Sequence, residues 1–127
     1  MSEATGHSYL QDHQISGEVI TLDIEQEEAS ILEAAKAAGV GRAAKTLVKD
    51  GPLRVIILGL KLGASLQEHE AAGPVSVHVL SGQVDISSPG RSDPLRGGQA
   101  LVFEAAVSHS LEAQSDSVVL LTIAWPK

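Results

Sequence analysis

Residues 63–82 read GASLQEHEAAGPVSVHVLSG. Two histidines, His69 and His78, stand between bounding glycines in a chain that has no cysteine. The stretch sits inside a region of period-two patterning that begins after Gly41. Upstream, AAKTLVKDGPLRVIILGLKL reads as a strand, a turn at Asp50-Gly51 and a second strand. VSVHVLSGQVDISS reads as another pair turned at Ser81-Gly82, and SPGRSDPLRGG as a breaker-rich connection. QALVFEA, VSHSLEAQ and SVVLLTIAW follow as short strands. Strands at this spacing, with turn residues between them, predict a sandwich or small barrel. GEVITLD (17–23) reads as one further short strand.

Before this β region the period changes. In DIEQEEASILEAAKAAGVG, Asp23 can cap a helix with Gln26 in the capping-box position. Acidic residues follow at the positive end of the helix dipole, and Ile31, Leu32, Ala35 and Ala38 recur at helical spacing. The expectation is one helix over about 24–38, a barrel over about 43–125, and a single domain over 17–127. Residues 1–16 are polar, show no apolar period and read as a loose leader. His7 and His13 fall in it.

The totals exclude several functions. A chain of 127 residues suits one core. Its formal net charge is -7, and Tyr9, Phe103 and Trp125 are its only aromatics. Nucleic-acid binding needs cations and stacking platforms, so a nucleic-acid partner is not expected. The same charge disfavours an anionic membrane surface, and no apolar run approaches a membrane span. The N-terminus lacks a basic segment followed by an apolar one. Without cysteine there is no disulfide or thiolate ligand. The expectation is a cytoplasmic protein.

Two spacings now carry a resemblance. Gly63 is followed after five residues by His69; Ala71, Val75 and Gly82 then stand two, six and thirteen positions beyond that histidine. Gly98 is followed after five residues by Glu104, then by Ala106, His109 and Ala113. This order resembles the two motifs of the cupins, G-x5-H-x-H-x3-4-E-x6-G and G-x5-P-x-G-x2-H-x3-N, over about residues 53–125. The resemblance implies an all-β, double-stranded β-helix or jelly-roll barrel (the RmlC-like form), here with one N-terminal α-helix. In members with complete motifs, three histidines and a glutamate hold a divalent metal inside the barrel. Positions 69, 71 and 75 would share the inward face, because strand side chains alternate. Iron, manganese, nickel or zinc suits such a set.

This chain keeps His69 and His109 of those four. Ala71 and Val75 replace the second histidine and the glutamate, and neither can coordinate a metal. The implied ligand pocket is His69, Ala71, Val75 and His109, drier than its relatives and suited to a small apolar or mixed ligand. Any metal would rest on His69 and His109. His78 lies an odd offset from Val75 and reads as an outer-face or subunit-interface residue. Glu68 and Glu70 flank His69 and face away by the same parity, whereas Glu104 could reach the barrel mouth. Phe103 and Trp125 read as core or interface packing. Ser108-His109 is no hydrolase pair, since adjacent strand residues face opposite ways and G-x-S-x-G is absent.

Three functions fit these residues. The favoured one is a barrel that binds a small molecule with a weak or absent metal site. The second is a metal-dependent oxygenase or isomerase using His69 and His109. The third is a non-catalytic structural or regulatory dimer. Homodimerisation follows from the resemblance, and also from the difficulty a small apolar-rich chain has in covering its own sheet edges.

Overall fold

The computed structural model describes residues 15–69 and 72–125, apart from the side chains at 68 and 69. The elements are α1 (Ile24–Ala37), β1 (Arg42–Asp50), β2 (Leu53–Leu60), β3 (Ser65–His69), β4 (Val75–Ser81), β5 (Gln83–Ser88), β6 (Arg91–Arg96), β7 (Ala100–Phe103), β8 (His109–Ala113) and β9 (Ser117–Ala124). They form a five-stranded sheet ordered β1-β2-β9-β4-β7 and a four-stranded sheet ordered β3-β8-β5-β6. The strand pairs are antiparallel. This is an all-β barrel of two packed sheets with one N-terminal helix. No helix among the described residues is long and apolar enough to cross a membrane.

The core lies between the sheets. Leu58, Leu60, Val75, Val77, Val79 and Phe103 come from the larger sheet, and Val84, Ile86, Leu111 and Ala113 from the smaller. Alternation along β4 shows the logic: Val75, Val77 and Val79 are buried, while Ser76, His78 and Leu80 are half-buried on the other face. A second apolar cluster covers part of that outer face. Ile31 of α1 packs there with Leu47, Val48, Ile57 and Val118.

Helix α1 forms where the sequence places it for local reasons. The Asp23 carboxylate accepts a hydrogen bond from the Gln26 amide at 3.1 Å, and Glu25 and Glu27 occupy the first turn. The helix docks because β2 carries Gly59 beneath it. A Cβ at Gly59 would lie 2.5 Å from the carbonyl oxygen of Ile31. Glu27 also reaches Lys45 of β1, with Nζ and Oε1 2.8 Å apart and the lysine side chain only 3% exposed. Such a buried pair fixes the seat of the helix more than it adds net stability, because desolvation offsets the attraction.

Three expectations are corrected. Residues 17–23 form no strand; Ile20 and Leu22 instead pack against the helix-side cluster. Strands β4 and β5 are not a hairpin, since the chain changes sheet between them at Gly82, φ 85°. The segment read as a connection contains β6, a strand paired with β5 from Gln83↔Arg96 to Ser88↔Arg91. Pro94 is tolerated there because β6 is an edge strand.

The close seat of α1 on β2 gives a direct test. Gly59→Ala should lower stability by about 1–3 kcal/mol in chemical denaturation, the cost of forcing a methyl into a packed contact. Gly39→Ala, whose Cβ would meet nothing within 4 Å, is the control and should leave stability nearly unchanged.

Candidate ligand site

The site is built from the end of the barrel where β3, β4, β7 and β8 meet. His109 opens β8 and is 3% exposed. Its Nδ1 lies 3.1 Å from the carbonyl oxygen of Val107. A carbonyl can only accept, so Nδ1 is the donor in this bond. The ring stacks on Phe103, with centroids 4.5 Å apart and planes 8° from parallel. Phe103 is in turn the cross-strand partner of Val75, which is 3% exposed. His109, Phe103 and Val75 therefore form one contiguous inner surface.

Position 69 pairs with His109 through an irregularity in β3. Leu66 pairs with Leu111, and His69 pairs with His109, so three residues on β3 span two on β8. Leu66 packs against the core, and plain alternation from it would turn position 69 to the outer face. The extra residue of the bulge restores it to the position directly opposite His109. Ala71 lies outside the described residues, as do Glu70, His7 and His13. His78 is on the outer face, paired with Leu120 and Ala100.

The loop before His109 holds the ring. Ala106 is the one non-glycine with positive φ among the described residues, at 66°. It occupies the motif position where the resembling family has glycine. The left-handed backbone there costs an alanine about 1 kcal/mol. That turn presents the Val107 carbonyl to His109, so backbone strain and imidazole orientation are linked.

Two grooves open on the smaller sheet's side. One, of about 660 Å³, is bordered by Phe103, Glu104, Ala106, Val107 and Ser108 on one side and Pro89, Arg91 and Asp93 on the other. It shares Phe103 and Val107 with the setting of His109. At its rim Arg91 makes a two-pronged ion pair with Asp93, both contacts 2.8 Å. The Arg91 hydrogen bonds hold the Asp93 carboxyl below the usual range, and Asp93 in turn raises the guanidinium. Glu104, read from the sequence as near the barrel mouth, is exposed on this groove. The other groove, about 490 Å³, runs over serines and the cross-strand carboxylates Asp85 and Glu112 on the outside of the smaller sheet.

The metal implied by the resemblance does not fit this donor set. Val75, at the position of the family's glutamate, is an apolar core residue offering only methyl groups. Among the described residues, no three His, Cys, Asp or Glu side chains form a group able to hold an ion. The role of Phe103 was not legible beforehand. Sequence shows an aromatic on a strand but not the cross-sheet stacking that ties it to His109.

Neither a protein-family model nor a curated protein matches the sequence. Solved structures do match. A conserved protein of unknown function from Streptococcus pyogenes is 23% identical, with a TM-score of 0.70, over 91% of this chain and 95% of that one. An RmlC-like cupin from Desulfovibrio desulfuricans is 20% identical, TM-score 0.62, over 88% and 97%. A cupin superfamily protein from Desulfitobacterium hafniense is 16% identical, TM-score 0.65, over 67% and 78%. With two packed antiparallel sheets, motif glycines at the turns and these neighbours, the chain has the cupin fold.

Proposed function

We propose that this cupin barrel binds a small molecule against His109, Phe103 and Val75, with no strongly held metal. The observation that carries the reading is the setting of His109. It is a buried imidazole in apolar surroundings, oriented by the Val107 carbonyl and a stacked ring, beside a groove large enough for a metabolite. One oriented polar group in an apolar surface is the usual composition of a small-ligand site. His69, across the ladder from His109, is the second polar position of the proposed pocket, and Ala71 a further apolar one.

The reading extends to a homodimer. Outer-face positions of β4 and β7 are Ser76, His78, Leu80, Ala100 and Val102, none of them Lys, Arg, Asp or Glu. Val102 is 70% exposed. An uncharged sheet face lets two copies of an acidic chain meet without like charges in contact.

Four measurements bear on this. Protein purified without an affinity tag should show stabilisation by a subset of metabolites in a thermal-shift screen. A ligand at a hundred times its Kd contributes about 2.7 kcal/mol, and His109→Ala should abolish it. Silence across a broad metabolite set would favour the structural or regulatory dimer. Stoichiometric iron, manganese, nickel or zinc, lost in the His69→Ala, His109→Ala double variant, would instead favour an oxygenase or isomerase. Ala106→Gly should raise stability by about 1 kcal/mol by relieving the left-handed alanine, while weakening ligand binding through a looser Val107 carbonyl; denaturation and titration of the same variant read both. Light scattering should give a dimer for the native chain and a monomer for Val102→Glu.

A further inference from the structure

The larger sheet carries a row of directly paired positions that runs through two cations, since Lys49 of β1 pairs with Arg54 of β2. Arg54 of β2 pairs with Ile123 of β9, Ile123 with Val75 of β4, and Val75 with Phe103 of β7. Directly paired residues share a face, so Arg54 lies on the same face as Val75 and Phe103. Alternation along β2 agrees, because Ile56, Leu58 and Leu60 all pack in the core between the sheets. With neighbouring strands about 4.8 Å apart, Arg54 is about 14 Å from Phe103 along the row. That span matches the length of a small metabolite.

Arg54 is half-buried, and its cross-strand partner on β1 is the exposed Lys49, a second cation. Its guanidinium carbon lies 5.8 Å from the ring centroid of Trp125, and Nη1 donates to the carbonyls of Gly51 and Leu53. Among the described residues it makes no ion pair with a carboxylate, in a chain with 16 acidic residues. Contrast Arg91 and Lys45, each of which has an acid at 2.8 Å. A partly desolvated cation without a counter-charge is unfavourable, and a ligand anion is one way to supply the charge. Guanidinium also matches a carboxylate in shape, accepting both oxygens. Trp125 lies beside Arg54, two residues beyond Ile123, and Phe103 stands at the β7 end of the row.

We infer that the barrel ligand is a small carboxylic acid with an apolar body, its carboxylate received by Arg54 beside Trp125 and its body lying along Ile123 and Val75 towards Phe103. This rests on the reading of the barrel as a small-molecule site.

Trp125 is the single tryptophan of the chain, so its fluorescence reports on this position alone. The probes are cyclohexanecarboxylate and 3-phenylpropanoate, each titrated beside its primary amide, into the full chain, Arg54→Gln and Arg54→Lys. The expected result is saturable change of Trp125 emission by the acids, with at least tenfold weaker binding of the amides. Arg54→Gln should bring acid and amide to equal affinity, and Arg54→Lys should restore part of the difference. Circular dichroism of each variant separates loss of binding from loss of fold. Equal binding of acids and amides to the native chain would overturn the carboxylate inference while leaving the barrel site standing. Binding of acids that survives Arg54→Gln would move the anion site elsewhere and likewise overturn it. If none of the four probes binds, although other metabolites stabilise the protein through His109, the ligand class is wrong and the barrel reading remains.

Discussion

The architecture depends on a steric constraint at Gly82. There the chain leaves the five-stranded sheet at Ser81 and enters the four-stranded one at Gln83. A Cβ at this position would approach Ser117 Oγ and the Asp116 carbonyl at 2.3 and 2.4 Å, and φ is 85°. No other residue type fits both conditions without displacing β9. The fully buried Ser117 hydroxyl accepts from the Gln83 amide at 3.0 Å and bonds the Ser115 carbonyl at 2.8 Å. It thus satisfies backbone groups that a change of sheet would strand. Once the corner is fixed, Val75, Val77 and Val79 of β4 face Val84 and Ile86 of β5 across the core.

This corner explains what could be read in the sequence and what could not. Gly63, Gly82 and Gly98 were legible as motif positions because their backbone requirements are written in residue type. The helix was legible because Asp23, its acidic first turn and the Ile31–Ala35 spacing are local signals. The pairing of β4 was not local. A glycine between two alternating segments signals a turn, but the same glycine serves a hairpin or a sheet crossing. Only the contact with Ser117, 35 positions away, separates them. Strand β6 was hidden for a related reason: proline and glycine mark breaks, but an edge position tolerates the proline.

The candidate site was legible in its histidines and illegible in their setting. Spacing placed His109 and position 69 on facing segments, but that placement assumed regular strands. In the fold it takes a bulge in β3 to set position 69 opposite His109. The stack of His109 on Phe103 and the strained turn at Ala106 arise from the approach of β7 to β8, which no local pattern encodes. The inner row from Arg54 to Phe103 crosses four strands and becomes visible only when the register is known. A site that replaces two metal ligands with Ala71 and Val75 shifts the work from charge to shape. In the proposed site, specificity falls to the apolar row and to Arg54.

The proline of β6 has an effect beyond local tolerance. Counting from the closing pair Ser88↔Arg91, Pro94 falls opposite Asp85 in a position whose backbone nitrogen points away from β5. The open margin of the four-stranded sheet thus presents a ring carbon where an incoming chain would seek a donor. A copy of the protein cannot extend this sheet past β6 by continuous strand addition, so this margin is a poor template for cross-β growth.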